Sequence, residues 1–204
     1  MEKESPTLTD TLRVLFRGMF EPIAAFLTRL GLKPNSVTIF GLIGHGVAAI
    51  LIAQGMITIG GLLLIIMAPI DYLDGMMARM RGESSRFGAF VDSVTDRYSE
   101  FVVLGGLLFY FLQRQDWVAC GLVYLAVTGS VLVSYVRTRA EALGYQSKVG
   151  LLTRVERYLV LIPALVFNRP MIALWILAIF GHLTAFQRIL NVRRQAYEDD
   201  SENL

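Results

Sequence analysis

Six apolar runs, separated by short polar turns, constrain this chain more than any other feature. They fall at about 37–53, 60–77, 90–111, 117–136, 158–167 and 171–186. A helix needs about 20 apolar residues to cross a hydrocarbon core about 30 Å thick. The fifth run is short and is extended backward by helical turns from Leu151, and the second contains Pro69. Assigning the intervening loops alternately to two sides puts seventeen of the nineteen Lys and Arg residues on one of them. Only Arg114 and Arg169 fall on the other. The positive-inside rule makes the basic side cytoplasmic, and an even number of spans, six, brings both termini there. The expected fold is an all-α integral membrane protein. Composition agrees: 54% hydrophobic residues exceeds the usual soluble share of about 45–50%.

A different pattern precedes the first run. Leu12, Leu15, Phe16, Met19, Ile23, Phe26, Leu27 and Leu30 make one face of a helix, with Arg13, Arg17 and Arg29 off the stripe. This predicts an amphipathic helix lying in the membrane interface, broken or kinked at Pro22. The expected organisation is therefore 1–36 as amphipathic helix and turn, 37–190 as a six-helix domain, and 191–204 as a charged cytoplasmic tail that frays. The polar start MEKESPTLTD shows no cleavable signal. Cys120 is the sole cysteine, so no intramolecular disulfide forms. No nucleic-acid partner is expected.

Chemistry concentrates in one stretch, DYLDGMMARMRGESSRFGAFVDSVTD, from Asp71 to Asp96. Asp71 and Asp74 are three apart, and Asp92 and Asp96 are four apart, so on helices each pair shares a face. Carboxylates beside apolar helices are costly and by default mark a functional site. Two such pairs repel unless cations lie between them, and hard oxygen ligands suit Mg²⁺ or Mn²⁺. Two metals about 3.5–4 Å apart can clamp an in-line phosphoryl displacement. Arg79 is a natural phosphate partner. Gly75 and Gly88 remove side chains where a substrate would lie against backbone. The cluster falls at the cytoplasmic end of the second and third spans, within reach of headgroups and of soluble phosphate compounds.

Asp71, Asp74, Gly75, Ala78, Arg79, Gly88, Asp92 and Asp96 reproduce the pattern D-x-x-D-G-x-x-A-R-x(8)-G-x-x-x-D-x-x-x-D. All eight fixed positions and all spacings resemble the signature of the CDP-alcohol phosphotransferases. The six-span layout with an amphipathic N-terminal helix is similar too. The resemblance implies that a CDP-linked lipid gives its phosphatidyl group to an alcohol and releases CMP. It implies two Mg²⁺ ions, or Mn²⁺, on Asp71, Asp74, Asp92 and Asp96, with Asp96 as the general base. It implies that Gly75, Ala78, Arg79 and Gly88, with Asp74, hold the cytidine nucleotide. Pro34, Asn35 and Thr38 resemble the family's P-N-x-[IVL]-T start of the first span, near the nucleotide. It also implies a homodimer in the cell membrane with a cytoplasmic active site.

The acceptor is read from finer likenesses. Asp92-Ser93-Val94-Thr95-Asp96-Arg97 resembles the D-S-x-x-D-R of the inositol-phosphate branch, where glycerol-phosphate enzymes more often carry D-P-x-A-D-K. Ser134 to Glu141 resembles that branch's S-Y-x-[KR]-A-R-A-E, with Thr138 in place of the small Ala. Arg154-Val155-Glu156-Arg157 resembles E-R-x-E-R, with Thr153 in place of the leading Glu. An acceptor that carries a phosphate needs cations besides the metals. Ser134, Arg137, Arg154 and Arg157 are the candidates, with Arg194 or Arg193 joining them. The expected acceptor is 1L-myo-inositol 1-phosphate, and the expected lipid is CDP-diacylglycerol or CDP-archaeol. Glycerol 3-phosphate is the alternative acceptor.

The remaining features have plainer readings. Arg81, Arg86 and Arg188 read as positive-inside anchors. His45 and His182 read as packing or hydrogen-bonding residues, and Gly41, Gly44, Gly60, Gly61, Gly105 and Gly106 as close-packing positions. Glu100, one turn beyond Asp96, is a candidate support. A carboxylate-based cation transporter would place its acids near the midplane and show an inverted repeat, and neither is evident. An aspartate-rich prenyl transferase would not require the glycine, alanine and arginine framework.

Overall fold

The computed structural model describes residues 8–82, 85–147 and 149–202. These residues form eight helices: α1 (Leu8–Arg29), α2 (Pro34–Ala53), α3 (Ile57–Met67), α4 (Ile70–Met80), α5 (Arg86–Leu112), α6 (Trp117–Ala142), α7 (Arg154–Val166) and α8 (Pro170–Glu202). Among them, four stretches are long and apolar enough to cross a membrane: Pro34–Ala53, Ile57–Met80, Trp117–Ala142 and Pro170–Asp199. α5 has 27 residues, about 40 Å at helical rise, but its first half carries Arg86, Asp92, Asp96, Arg97 and Glu100. α7 has 13 residues, about 20 Å.

Several expectations about helix ends change. Pro22 neither breaks nor ends α1, which runs on to Arg29. The second apolar run is two helices. Pro69 has no N–H to continue the ladder of α3, so the chain turns there and starts α4. The helix of the fifth expected span, α7, begins at Arg154, and Leu151 to Thr153 stay outside it. The tail does not fray at 191, because α8 continues to Glu202. Side-chain bonds four residues apart, Arg194 to Glu198 (2.8 Å) and Gln195 to Asn191 (3.0 Å), support that extension. The predicted outward extension of the fourth helix is present, with α6 ending at Ala142 before Gly144 at positive φ.

The chain divides into two compact units. The first comprises residues up to Val47 and Leu63–Glu100, the second Ala48–Leu62 and the residues from Phe101 onward. In the first unit α1 packs on α4. Ala24, Val37, Met67, Ile70, Leu73, Met76 and Met77 form its core, with Phe20, Leu27 and Tyr72 against it. Phe20 and Tyr72 meet edge to face at 5.5 Å. Met19, Ile23 and Phe26 remain exposed on α1, and Leu30 just after it. The side chains of Leu12, Arg13, Leu15, Phe16 and Arg17 lie outside the described ones. Arg81 is no mere anchor: its Nη2 donates to the Thr28 carbonyl (3.1 Å), fastening the end of α4 to the end of α1.

In the second unit α6 and α7 each pack on α8, α6 the more extensively. Burial of apolar surface drives little here if lipid surrounds the helices, so close backbone approach matters. A Cβ on Gly129 would lie 3.3 Å from the His182 backbone nitrogen, and one on Gly181 would lie 3.4 Å from Gly129 Cα. This glycine pair joins α6 to α8, and no GxxxG spacing announces it. His182 Nε2 donates across the same contact to the Leu125 carbonyl (3.1 Å). Gly60, Gly61 and Gly106 are close-packing positions as expected, Gly44 is the equivalent position against Met67 in the first unit, and Gly105 is not one. A Cβ on Gly106 would lie 2.5 Å from the Ala49 carbonyl, whereas one on Gly105 meets nothing within 4 Å. Gly106→Ala is therefore expected to destabilise the protein by about 1–3 kcal/mol. Gly105→Ala should hold or raise stability by about 0.5–1 kcal/mol. Thermal unfolding of the two variants in detergent checks the contrast.

Candidate active site

A cavity of about 390 Å³ lies in the first unit, lined by Lys33, Pro34, Asn35, Thr38, Asp74, Gly75, Ala78, Arg79, Ser85, Gly88, Ala89 and Asp92. Three helix ends build it. α2 starts at Pro34, whose fixed φ suits a first helical position, and Thr38 follows one turn later. α4 contributes residues 74, 75, 78 and 79 from one face. α5 contributes Gly88, Ala89 and Asp92, one turn apart, with Ser85 just before it.

Asp74 is only 4% exposed. A buried carboxylate needs a donor, and Thr38 Oγ1 donates to its Oδ2. The Thr38 hydroxyl also lies 3.2 Å from the Pro34 carbonyl. It has a single proton, and the bond to a carboxylate is the stronger use of it. Asp92 is half-buried. The Asp96 side chain is 12% exposed, with Arg97 Nη1 at 3.9 Å. Asp71 lies on α4 three residues before Asp74, and its side chain is outside the described ones. Among the described residues no three or more His, Cys, Asp or Glu side chains converge closely enough to hold a metal. The donor chemistry nevertheless fits one: carboxylate oxygens on adjoining helix ends are the ligands hard divalent cations take.

The glycines have separate reasons. A Cβ on Gly75 would meet only Arg79 Nη1, at 3.5 Å, so the protein has room for one there and the space is left to the cavity. At Gly88 a Cβ would press on Ser85 Oγ at 3.2 Å. That oxygen accepts from the Gly88 N–H (2.9 Å) and caps α5. All eight nucleotide candidates, Pro34, Asn35, Thr38, Asp74, Gly75, Ala78, Arg79 and Gly88, line this one cavity. Lys33, Ser85 and Ala89 line it too. Ser85 could be found from its N-cap spacing to Gly88, while Lys33 and Ala89 carry no motif.

The residues expected to bind acceptor phosphate lie in the second unit, and their settings differ. Ser134 is half-buried on α6. Arg137 is exposed, its Nε bonded to Glu141 at 2.9 Å. Arg154 opens α7, its guanidinium 5.7 Å from the Tyr158 ring centre. Arg157 is 4% exposed, and its Nη1 donates to the Leu152 carbonyl (3.2 Å). Arg194 points to solvent and pairs with Glu198. His45 and His182 are hydrogen-bonding residues as expected: His45 Nδ1 donates to the Gly41 carbonyl (2.8 Å).

A membrane-type helical protein with a carboxylate-lined cavity under three helix ends is the class this geometry defines. The family model for CDP-alcohol phosphatidyltransferase matches residues 32–187. The chain belongs to the CDP-alcohol phosphatidyltransferase family. It is an enzyme of phospholipid biosynthesis, embedded in a membrane. It is 35% identical over 192 residues to phosphatidylinositol phosphate synthase of Mycobacteroides abscessus, covering 89% of this chain and 86% of that one. It is 34% identical over 189 residues to archaetidylinositol phosphate synthase of Pyrococcus horikoshii, covering 92% and 98%. Its structure is similar to that of Mycobacterium tuberculosis phosphatidylinositol phosphate synthase with CDP-DAG bound, with a TM-score of 0.79 and 31% identity over 85% of this chain and 92% of that one. The same mycobacterial enzyme in complex with manganese and citrate gives a TM-score of 0.80, at 31% identity over 85% and 88%.

Thr38→Val removes the donor to a buried carboxylate, a bond of about 1.5–3 kcal/mol. It is expected to lower phosphatidyltransferase turnover by about tenfold or more, whereas Thr38→Ser retains most of it. CMP release from the two variants checks this.

Proposed function

We propose that the protein transfers the phosphatidyl group of a CDP-lipid to a hydroxyl of inositol 1-phosphate and releases CMP. The observation that carries the reading is the single cavity that collects every predicted nucleotide contact, with Asp74 and Asp92 in its wall. The relatives named for inositol phosphate products, at 34–35% identity, support the acceptor over glycerol 3-phosphate. The cytidine nucleotide lies against Gly75, Ala78 and Gly88, where small side chains leave room. Arg79 and Lys33 offset pyrophosphate charge. Asp71, Asp74, Asp92 and Asp96 would hold the divalent cations, Mg²⁺ or Mn²⁺, which neutralise charge on the transferred phosphoryl group.

Asp96 is the general base. It takes the proton of the acceptor hydroxyl, that oxygen bonds to the lipid-linked phosphorus, and the bond from this phosphorus to the CMP oxygen breaks. CMP departs with the electron pair. Ser134, Arg137, Arg154 and Arg157 hold the phosphate of the acceptor, with Arg194 at the margin because its guanidinium engages Glu198. Six spans, cytoplasmic termini and a cytoplasmic site follow from the distribution of Lys and Arg, and we read the functional form as a homodimer in the cell membrane.

Purified protein in detergent with Mg²⁺ and CDP-diacylglycerol is expected to release CMP with inositol 1-phosphate, and not with free inositol, serine or glycerol 3-phosphate. Turnover with glycerol 3-phosphate alone would overturn the acceptor assignment and leave the nucleotide site standing. Asp96→Asn should lose turnover by about 10²-fold or more while still binding Mn²⁺ and CDP-lipid. Full activity in that variant would sink the base assignment.

A further inference from the structure

Among the described residues two cations line the cavity, and they come from different parts of its wall. Arg79 stands on α4, inside the acidic motif. Lys33 stands in the turn between α1 and α2 and belongs to no motif. Main-chain bonds hold that turn in place. Gly31 adopts φ +79°, a conformation that suits glycine. The Leu32 N–H donates to the Leu27 carbonyl (3.3 Å), and the Lys33 carbonyl accepts from the N–H groups of Ser36 (3.0 Å) and Val37 (3.4 Å). Pro34 opens α2 and restricts the residue before it to extended conformations. The Lys33 backbone is thus fixed where α2 begins, at the cavity. Its side chain is exposed, and among the described residues none takes a hydrogen bond or ion pair from its ammonium. A free ammonium in a cavity wall is a ready partner for an anion.

Position along α2 bears on which anion. Thr38 marks the level of the carboxylates, because its hydroxyl bonds to Asp74. Lys33 lies five residues earlier, about 7.5 Å of helical rise. The lipid-linked phosphorus, which the metals must clamp, belongs with the carboxylates. The phosphate further along the wall is the one that stays with the nucleotide. In the CDP-lipid each phosphate carries one negative charge. When the bond from the lipid-linked phosphorus to the bridging oxygen breaks, the electron pair stays on that oxygen. CMP becomes a phosphate monoester, with a charge of about −1.5 to −2 at pH 7. Charge therefore grows on the nucleotide phosphate during the step, and a cation aimed there helps the transition state more than the bound substrate.

We propose that Lys33 is the leaving-group residue of the transfer: its ammonium donates to the phosphate of CMP as that phosphate takes up the electron pair, and holds CMP until release. Lys33 keeps its proton throughout. The inference rests on the reading of the cavity as the CDP-lipid site, and it assigns this lysine to the departing nucleotide.

The test is calorimetric titration of CMP into the purified protein in detergent with Mg²⁺, with cytidine run as a competitor, for wild type, Lys33→Gln and Lys33→Arg. Initial rates of CMP release from CDP-diacylglycerol are measured beside it. Lys33→Gln is expected to raise the CMP dissociation constant about tenfold, the size of one charge-assisted hydrogen bond. It should lower kcat/KM for CDP-diacylglycerol by a similar factor. Cytidine, which lacks the phosphate, should bind wild type and variant alike. Lys33→Arg keeps the charge and should recover most of both losses. Unchanged CMP affinity, or equal losses for CMP and cytidine, would overturn the proposal even where activity falls, since the lysine would then serve the lipid headgroup or the α1–α2 turn. If Lys33→Gln does not fold, Lys33→Thr is read by the same criteria. Wild-type protein that binds neither CMP nor cytidine would sink the CDP-lipid reading and this proposal together, whereas loss of the Lys33 effect alone leaves that reading standing.

Discussion

The structure depends on satisfying carboxylates at the ends of apolar helices. Asp74 shows how this is done. Its carboxylate is almost wholly buried, and burying a carboxylate is costly without a hydrogen-bond donor. The Thr38 hydroxyl supplies a donor from the second turn of α2. That one bond ties α2 to α4 and fixes the wall of the cavity. Pro69 matters for the same reason: by ending α3 it lets α4 start afresh, with its polar face on the cavity and Leu73, Met76 and Met77 in the core of the first unit. A continuous helix through 57–80 would carry the register of the apolar run into the acidic motif.

How much of this was legible in the sequence depends on what each residue does. Motif residues that face a ligand must keep identity and spacing, so the DxxDGxxAR stretch and the P-N-x-x-T start of α2 could be read directly, and the cavity collects Pro34, Asn35, Thr38, Asp74, Gly75, Ala78 and Arg79 from them. Apolar runs gave the helices, because lipid allows few alternatives. The ends were harder. Pro22 looks like a breaker but sits within α1, while Pro69 lies within an apolar run and does break it. The difference is tertiary: α1 is held along α4 on both sides of the proline, by Phe20 on Tyr72 before it and by Ala24, Leu27 and the Arg81–Thr28 bond after it.

The least legible residues were the arginines. Charge counting treats Arg81, Arg157, Arg188 and Arg194 alike, since all belong to the basic side. Their environments separate them completely. Arg194 lies in solvent beside Glu198, Arg81 fastens two helix ends, and Arg157 and Arg188 are buried and donate to main-chain carbonyls. Nothing local distinguishes a lipid-side anchor from a buried clamp, because the bonds run to residues from 5 to 55 positions away. Positions 184, 188 and 195 have helical spacing, but their meaning appears only with the main-chain bonds they make, Thr184 to Leu152, Arg188 to Val149 and Val133, and Gln195 to Gln146.

Two departures from the inositol-phosphate pattern have local explanations that leave the acceptor reading intact. Thr153 stands where a glutamate was expected. It is the residue before α7, in extended conformation, and its hydroxyl donates to Glu156 three residues on. Its side chain makes no capping bond to the backbone of α7, and the Glu156 that it engages is the glutamate of the matched motif. Thr138 stands where a small alanine was expected. Its hydroxyl turns back to the Ser134 carbonyl one turn earlier (3.0 Å), the usual way a helix accommodates this residue. Both residues spend their hydroxyls on groups within four residues of themselves. Neither consumes a donor of Arg137, Arg154 or Arg157, so the cations an anionic acceptor requires are the ones the pattern would have supplied.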